Sequence, residues 1–141
     1  MKIKALFIAF CIPFCFLMAG CGSSGIVAVS GTLTYKGKPV TNAFVNFVPT
    51  DGGRPSMGET DTAGKFTLTY DPQTKGAKTG KHRVFVAHNA LADAGKPGLI
   101  PGMPAVMSGE QKELFRKYGG DNSKVMIEIT KPEGNLELKW D

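Results

Sequence analysis

From Val29 to Tyr35 the apolar residues Val29, Leu33 and Tyr35 share one parity with Gly31, while Ser30, Thr32 and Thr34 take the other. This is the period-two alternation of a strand that buries one face, and it predicts a strand from near Ile26 to about Tyr35. Lys36-Gly37-Lys38-Pro39 ends the run, because Gly37 admits positive φ and Pro39 has no amide hydrogen for a ladder. A second strand is predicted from Ala43 to Pro49, with Ala43, Val45 and Phe47 on one side and Phe44, Asn46 and Val48 on the other. Apolar residues on both sides mark it as central. A weaker strand covers Ser56 to Thr60. In the turn Asp61-Thr62-Ala63-Gly64 the Asp61 carboxylate can accept backbone N–H groups ahead of it and Gly64 can turn left-handed. That turn delivers a strand from Lys65 to Tyr70, with Phe66, Leu68 and Tyr70 on one face.

Asp71 to Gly80 is polar and carries Pro72, Gly76 and Gly80, and is read as a loop. Lys81 to His88 alternates again, as do Lys124 to Thr130 and Asn135 to Trp140, the last two joined by a turn at Lys131-Pro132-Glu133-Gly134. Ser108 to Tyr118 reads as one to three helical turns, capped by Ser108, stopped at Gly119-Gly120 and docked by Leu114, Phe115 and Tyr118. Between strand and helix, residues 89–109 show no period although they hold Leu99, Ile100 and Met103, so this insert is either functional or an irregular crossover laid over the core. Seven short strands and one short helix predict an all-β, seven-stranded antiparallel β-sandwich over residues 26–141.

The N-terminus follows a different pattern. Lys2 and Lys4 precede an apolar run from Ala5 to Met18, broken only by Pro13 and followed by Ala19 and Gly20. The run falls short of the roughly 20 residues of a spanning helix and reads as an export signal over residues 1–20. Leu17-Met18-Ala19-Gly20-Cys21 resembles the lipobox of bacterial lipoproteins, with Met18 where leucine is commonest. The resemblance implies that Cys21 is acylated, palmitate being a typical chain, and that it becomes the first mature residue. Gly22-Ser23-Ser24-Gly25 would then be a flexible tether. Of three cysteines, Cys11 and Cys15 lie within the signal, which leaves Cys21 alone and unable to form an internal disulfide.

Removing residues 1–20 leaves 121 residues and, without Lys2 and Lys4, lowers the net charge from +5 to +3. That is one domain's length, sufficient to bury a core without disulfides. The positive residues are scattered, with no run of four, which argues against nucleic acid as a partner.

Gly31-Thr32-Leu33, Lys36-Gly37-Lys38-Pro39-Val40-Thr41-Asn42-Ala43-Phe44-Val45, Thr60-Asp61-Thr62-Ala63-Gly64-Lys65-Phe66 and Gly80-Lys81-His82-Arg83-Val84 together resemble the carboxypeptidase regulatory-like domains. The resemblance runs from about Val29 to His88 and extends less closely to Trp140. It implies a transthyretin-like (prealbumin-like) sandwich that serves as a non-catalytic structural or interaction module without cofactors. His82 stands where that family usually has tyrosine, which implies an aromatic core position.

The residues themselves offer little catalytic chemistry. His82 and His88 share parity, but six residues of strand at about 3.3 Å each separate them too far to hold one metal ion. There is no H-E-x-x-H motif, no paired cysteine and no G-x-S-x-G elbow. Asp61 alone is too little for calcium, so turn-structuring is its expected role, along with Gly64, Gly37 and Pro39. The expectation is therefore a lipid-anchored protein of the cell envelope, on a periplasmic face or the cell surface, held to the membrane through Cys21 and partnered by envelope proteins. The alternative is a module binding glycan or peptide through end loops that bear Asp51, Arg54, Leu99, Ile100 and Met103. A metal-dependent or hydrolytic enzyme ranks last.

Overall fold

Ile26 to Tyr35, expected as one strand, is two: β1 (Ile26–Val27) and β2 (Val29–Tyr35). The computed structural model describes residues 25–90 and 107–141. The expectations for the signal segment, Cys21, Leu99, Ile100 and Met103 lie outside these residues. The remaining strands are β3 (Lys38–Pro39), β4 (Ala43–Pro49), β5 (Ser56–Glu59), β6 (Lys65–Thr67), β7 (Thr69–Asp71), β8 (Thr74–Lys75), β9 (Ala77–Lys78), β10 (Gly80–His88), β11 (Val125–Ile129) and β12 (Glu133–Trp140). Among the described residues there is one α-helix, α1, which covers Gly109–Tyr118 and is followed by a 3-10 turn at Gly120–Asn122.

A larger sheet runs β11-β10-β4-β5-β7-β8, with every pairing antiparallel. A smaller one runs β12-β2-β3, with β6 also on β2, and β1 pairs separately with β9. Alternation is strict in β2 and β4, where every second residue is buried. Val29, Leu33, Leu138 and Trp140 from the smaller sheet meet Val45, Phe47, Val84, Val86 and Ile129 from the larger in one core, and the Phe47 and Phe66 rings lie 6.4 Å apart across it. Each such fully buried side chain contributes on the order of 1.5–3 kcal/mol relative to exposure. Because β4 sits between β10 and β5, it has the central place its two apolar faces require.

Four expectations need correction. Twelve strands are present among the described residues rather than seven: polar Asp71 to Gly80 contributes β8 and β9, which pair with β7 and β1, Lys38–Pro39 forms β3, and the Ile26–Tyr35 and Lys65–Tyr70 runs are each divided in two. The Lys65–Tyr70 run is not one strand: β6 pairs with β2 in the smaller sheet and β7 with β5 in the larger, and the chain changes sheets at buried Leu68. Leu68 bridges both layers, its N–H donating to the Val29 carbonyl and its own carbonyl accepting from Gly76. The Lys131–Gly134 link does not make a hairpin, since β11 pairs with β10 whereas β12 pairs with β2. Finally, β12 runs parallel to β2, so the fold is not wholly antiparallel. The link crosses to the other layer, where the Glu133 N–H bonds the Ala28 carbonyl and starts β12 beside the beginning of β2.

Helix α1 carries a capping box: the Gln111 N–H donates to Ser108 Oγ, and the Ser108 N–H to Gln111 Oε1. Leu114 is buried and Phe115 and Tyr118 pack against the core, Tyr118 stacked on Trp140 at 4.5 Å. Ser108→Ala removes one of the reciprocal bonds and is expected to cost about 1 kcal/mol, read as a lowered denaturation midpoint in Trp140 fluorescence.

Candidate functional site

The direction of β4 and β10 sorts the candidate residues that the structure describes to one of two ends. His82 pairs with Pro49 at one end of these strands and His88 with Ala43 at the other. Seven residues of strand span about 20 Å. The loop with Asp51 and Arg54 follows Pro49, whereas the chain leaves β10 toward residues 91–106 beyond His88 and Asn89. The two loops expected to form one ligand site thus begin at opposite ends, and sequence alternation could not reveal it because it carries no strand direction.

At the Asp51 end, Lys78 Nζ bonds Asp51 Oδ2 at 2.9 Å and the Gly52 carbonyl at 3.4 Å. The Lys78 hydrogen bond holds the Asp51 carboxyl below its usual range. For Asp71, partial burial pushes the pKa up, but backbone N–H groups of Gln73 and Thr74, the Thr74 hydroxyl and the Arg54 charge together bring it below the usual value. Gly25 belongs to this end too, since its carbonyl accepts the Thr79 N–H at 2.7 Å.

At the other end the hairpin between β2 and β3 turns on Lys36 and Gly37, both at positive φ, with Pro39 pairing with Thr34. Such a turn suits the twist of the strands it joins. Asp61 Oδ1 accepts the N–H groups of Ala63 and Lys65, and Gly64 has φ +73° with its backbone against Leu33 and Pro39. Lys36 bonds Glu113 at 2.7 Å and Lys38 bonds Glu110 at 2.8 Å, tying the hairpin to α1. The Glu113 bond raises the Lys36 ammonium and, reciprocally, lowers the Glu113 carboxyl. Between hairpin and helix lies a cleft of about 270 Å³ lined by Tyr35, Lys38, Val40, Thr41, Glu110 and Leu114, among others.

Among the described residues no group of three or more His, Cys, Asp and Glu could hold a metal ion. His82 is wholly buried beside Phe47 at 5.8 Å, and His88 lies at the far end of the same strand against Phe115. Tyr35 and Trp140, aromatic rings that would need to be exposed to serve as sugar platforms, are 5% and 6% exposed and face inward.

The outer face of the larger sheet was not singled out by the sequence. Phe44, Val48, Phe85, Met57 and Met126 all occupy the parity opposite the buried residues, and Met57 and Met126 are 46% and 53% exposed. Registers put Met57 across from Asn46, Asn46 across from Phe85, and Arg83 between Val48 and Met126. Arg83 lies 5.3 Å from the Phe85 ring and ties back to the Gly120 carbonyl and Asp121. The signal was present in the apolar second parity of β4. Without the register, it read only as a central strand. No helix among the described residues is long and apolar enough to cross a membrane.

No family model matches this chain, and the searches of curated proteins and of solved structures find no match.

Proposed function

We propose that the chain is a lipid-anchored envelope protein whose layered β body is a non-catalytic, protein-interacting module of the carboxypeptidase regulatory-like, transthyretin-like kind. The observation that carries the interaction reading is the apolar outer face of the larger sheet, where Met57 and Met126 stand exposed around half-exposed Phe44, Val48 and Phe85. Asn46 and Arg83 lie among these apolar residues, and a mixed face with exposed methionines is one that a protein partner can cover. The inward-facing Tyr35 and Trp140 count against the glycan alternative, which needs exposed rings. The anchor rests on the Leu17–Cys21 pattern and on Cys21 being the sole cysteine beyond the signal.

Two measurements test this reading. Mass spectrometry of the membrane fraction is expected to find Cys21 diacylated at the mature N-terminus, and Cys21→Ala is expected to leave that fraction. An unmodified Cys21 defeats the anchor. Crosslinking in intact cells is expected to capture discrete envelope proteins that Met57→Lys and Met126→Lys lose together. Both exposed substitutions should keep stability within about 0.5 kcal/mol. Unchanged capture with these variants, together with calorimetric binding to purified polysaccharide, would favour the glycan module.

A further inference from the structure

We infer that the end of the body bearing Thr50–Arg54, β8, β9 and the Thr130–Glu133 link lies against the bilayer headgroups and presents the α1 cleft away from the membrane. The inference rests on the lipid anchor proposed above and adds the orientation of the body. Only Gly22, Ser23 and Ser24 separate Cys21 from Gly25. At about 3.3–3.6 Å per residue, such a segment reaches no more than roughly 15 Å even counted over four steps. The body is held from Gly25 onward: its carbonyl accepts the Thr79 N–H, β1 pairs with β9, and the Gly76 backbone is packed against the Val27 carbonyl. A body so pinned has no slack to turn its far end, one strand length away, toward the lipid.

The tether end also has groups that can meet a headgroup layer. Lys78 is engaged with Asp51, while exposed Lys75, Lys81 and Lys131 make no ion pair among the described residues. Lys75 precedes the Gly76 contact with Val27, the Lys81 carbonyl accepts the Thr50 N–H, and Lys131 follows Ile129, the partner of Gly80. Asp71, Glu128 and Glu133 share this end, so the net charge is small. At the far end Lys36 and Lys38 are engaged with Glu113 and Glu110, while exposed Lys65 and Lys112 are not, so the tether length and not the charge decides which end faces the lipid. The three tether-end ammonium groups then lie within reach of anionic headgroups.

The test is amine labelling of the full acylated chain, read lysine by lysine by mass spectrometry, in mild detergent and in phosphatidylcholine–phosphatidylglycerol vesicles. Lys75, Lys81 and Lys131 are expected to slow about threefold or more on passing from detergent to vesicles, while Lys36, Lys38 and Lys65 keep their rates. Equal ratios at both ends, or slowing at Lys36 and Lys38, in a chain whose Cys21 carries its acyl groups would overturn the orientation and leave the anchor standing. A chain whose Cys21 is bare overturns both.

Discussion

Gly31→Ala should be the most damaging single methyl group that can be added to β2, lowering stability by about 3 kcal/mol or more and, in a domain of this size, the melting temperature by roughly 10 °C or more. Gly31 sits at an inward-facing position of β2, paired with Leu136 of β12. A Cβ built there would lie 2.1 Å from the Leu136 carbonyl oxygen and 2.9 Å from Leu136 Cβ. The first obstacle is backbone, which no rotamer change can clear. Relief requires β12 to move off β2, and β12 carries Leu138 and Trp140 into the core and Trp140 onto Tyr118. A shift at one register position would therefore loosen the smaller sheet and the dock of α1 together. Gly37→Ala provides the contrast. Gly37 has φ +76° but open space around its Cβ, so this change meets only backbone strain of about 1–2 kcal/mol. Thermal denaturation followed by Trp140 fluorescence checks both, and equal losses for the two variants would show that the close approach to Leu136 is unimportant.

This contrast also shows what the chain reveals before it is folded. Alternation identified the inward residues of β2 and sorted those of β4 and β10 into two apolar parities without deciding which faces inward, and punctuation located the turns at Lys36-Gly37 and Asp61–Gly64, because those signals are local. Alternation does not encode direction or partner. Leu136, Leu138 and Trp140 would alternate identically in a parallel or an antiparallel strand, so the pairing of β12 with β2 was hidden. The break at Leu68 was hidden for a similar reason: Phe66, Leu68 and Tyr70 keep one parity while the hydrogen-bond partners change from β2 to β5. The two-residue strands β8 and β9 owe their pairing to Thr69, Asp71, Ile26 and Val27 and not to any pattern of their own. The same gap hid where the end loops start. The segment after Pro49 and the segment after His88 leave opposite ends once β4 and β10 are antiparallel, and the outer-face neighbours Phe85, Asn46 and Met57 are brought side by side only by the register.

His82→Phe should remove much of the protein's sensitivity to mild acid. His82 is wholly buried, Phe47 lies against it at 5.8 Å, its Nδ1 is 3.0 Å from the Gly80 carbonyl, and its Nε2 has no partner. Because the carbonyl can only accept, Nδ1 carries the proton and Nε2 presents a bare lone pair to an apolar core. Burial lowers the His82 pKa below the ordinary 6.5; the Gly80 carbonyl and Asp51 oppose that shift, and Lys78 adds to it. The folded state therefore resists protonation more than the unfolded chain does. Above about pH 6.5 neither state holds the extra proton and His82 adds no pH dependence. As the pH falls through that value the unfolded chain takes up a proton first, so stability declines until the depressed folded value is reached, below which the loss is complete. The carboxylates held low at Asp51, Asp71 and Glu113 titrate in more acidic solution and leave this window largely to histidine. Phenylalanine gives up the bond to Gly80, worth about 0.5–1.5 kcal/mol, and removes an orphan acceptor of similar cost, so near pH 7.5 the variant and the parent should be within about 1 kcal/mol. At pH 5 the variant should be the more stable of the two. Urea denaturation between pH 7.5 and 5 measures the slope directly. A variant that keeps the parent's slope would place the acid sensitivity elsewhere and overturn the role given to His82.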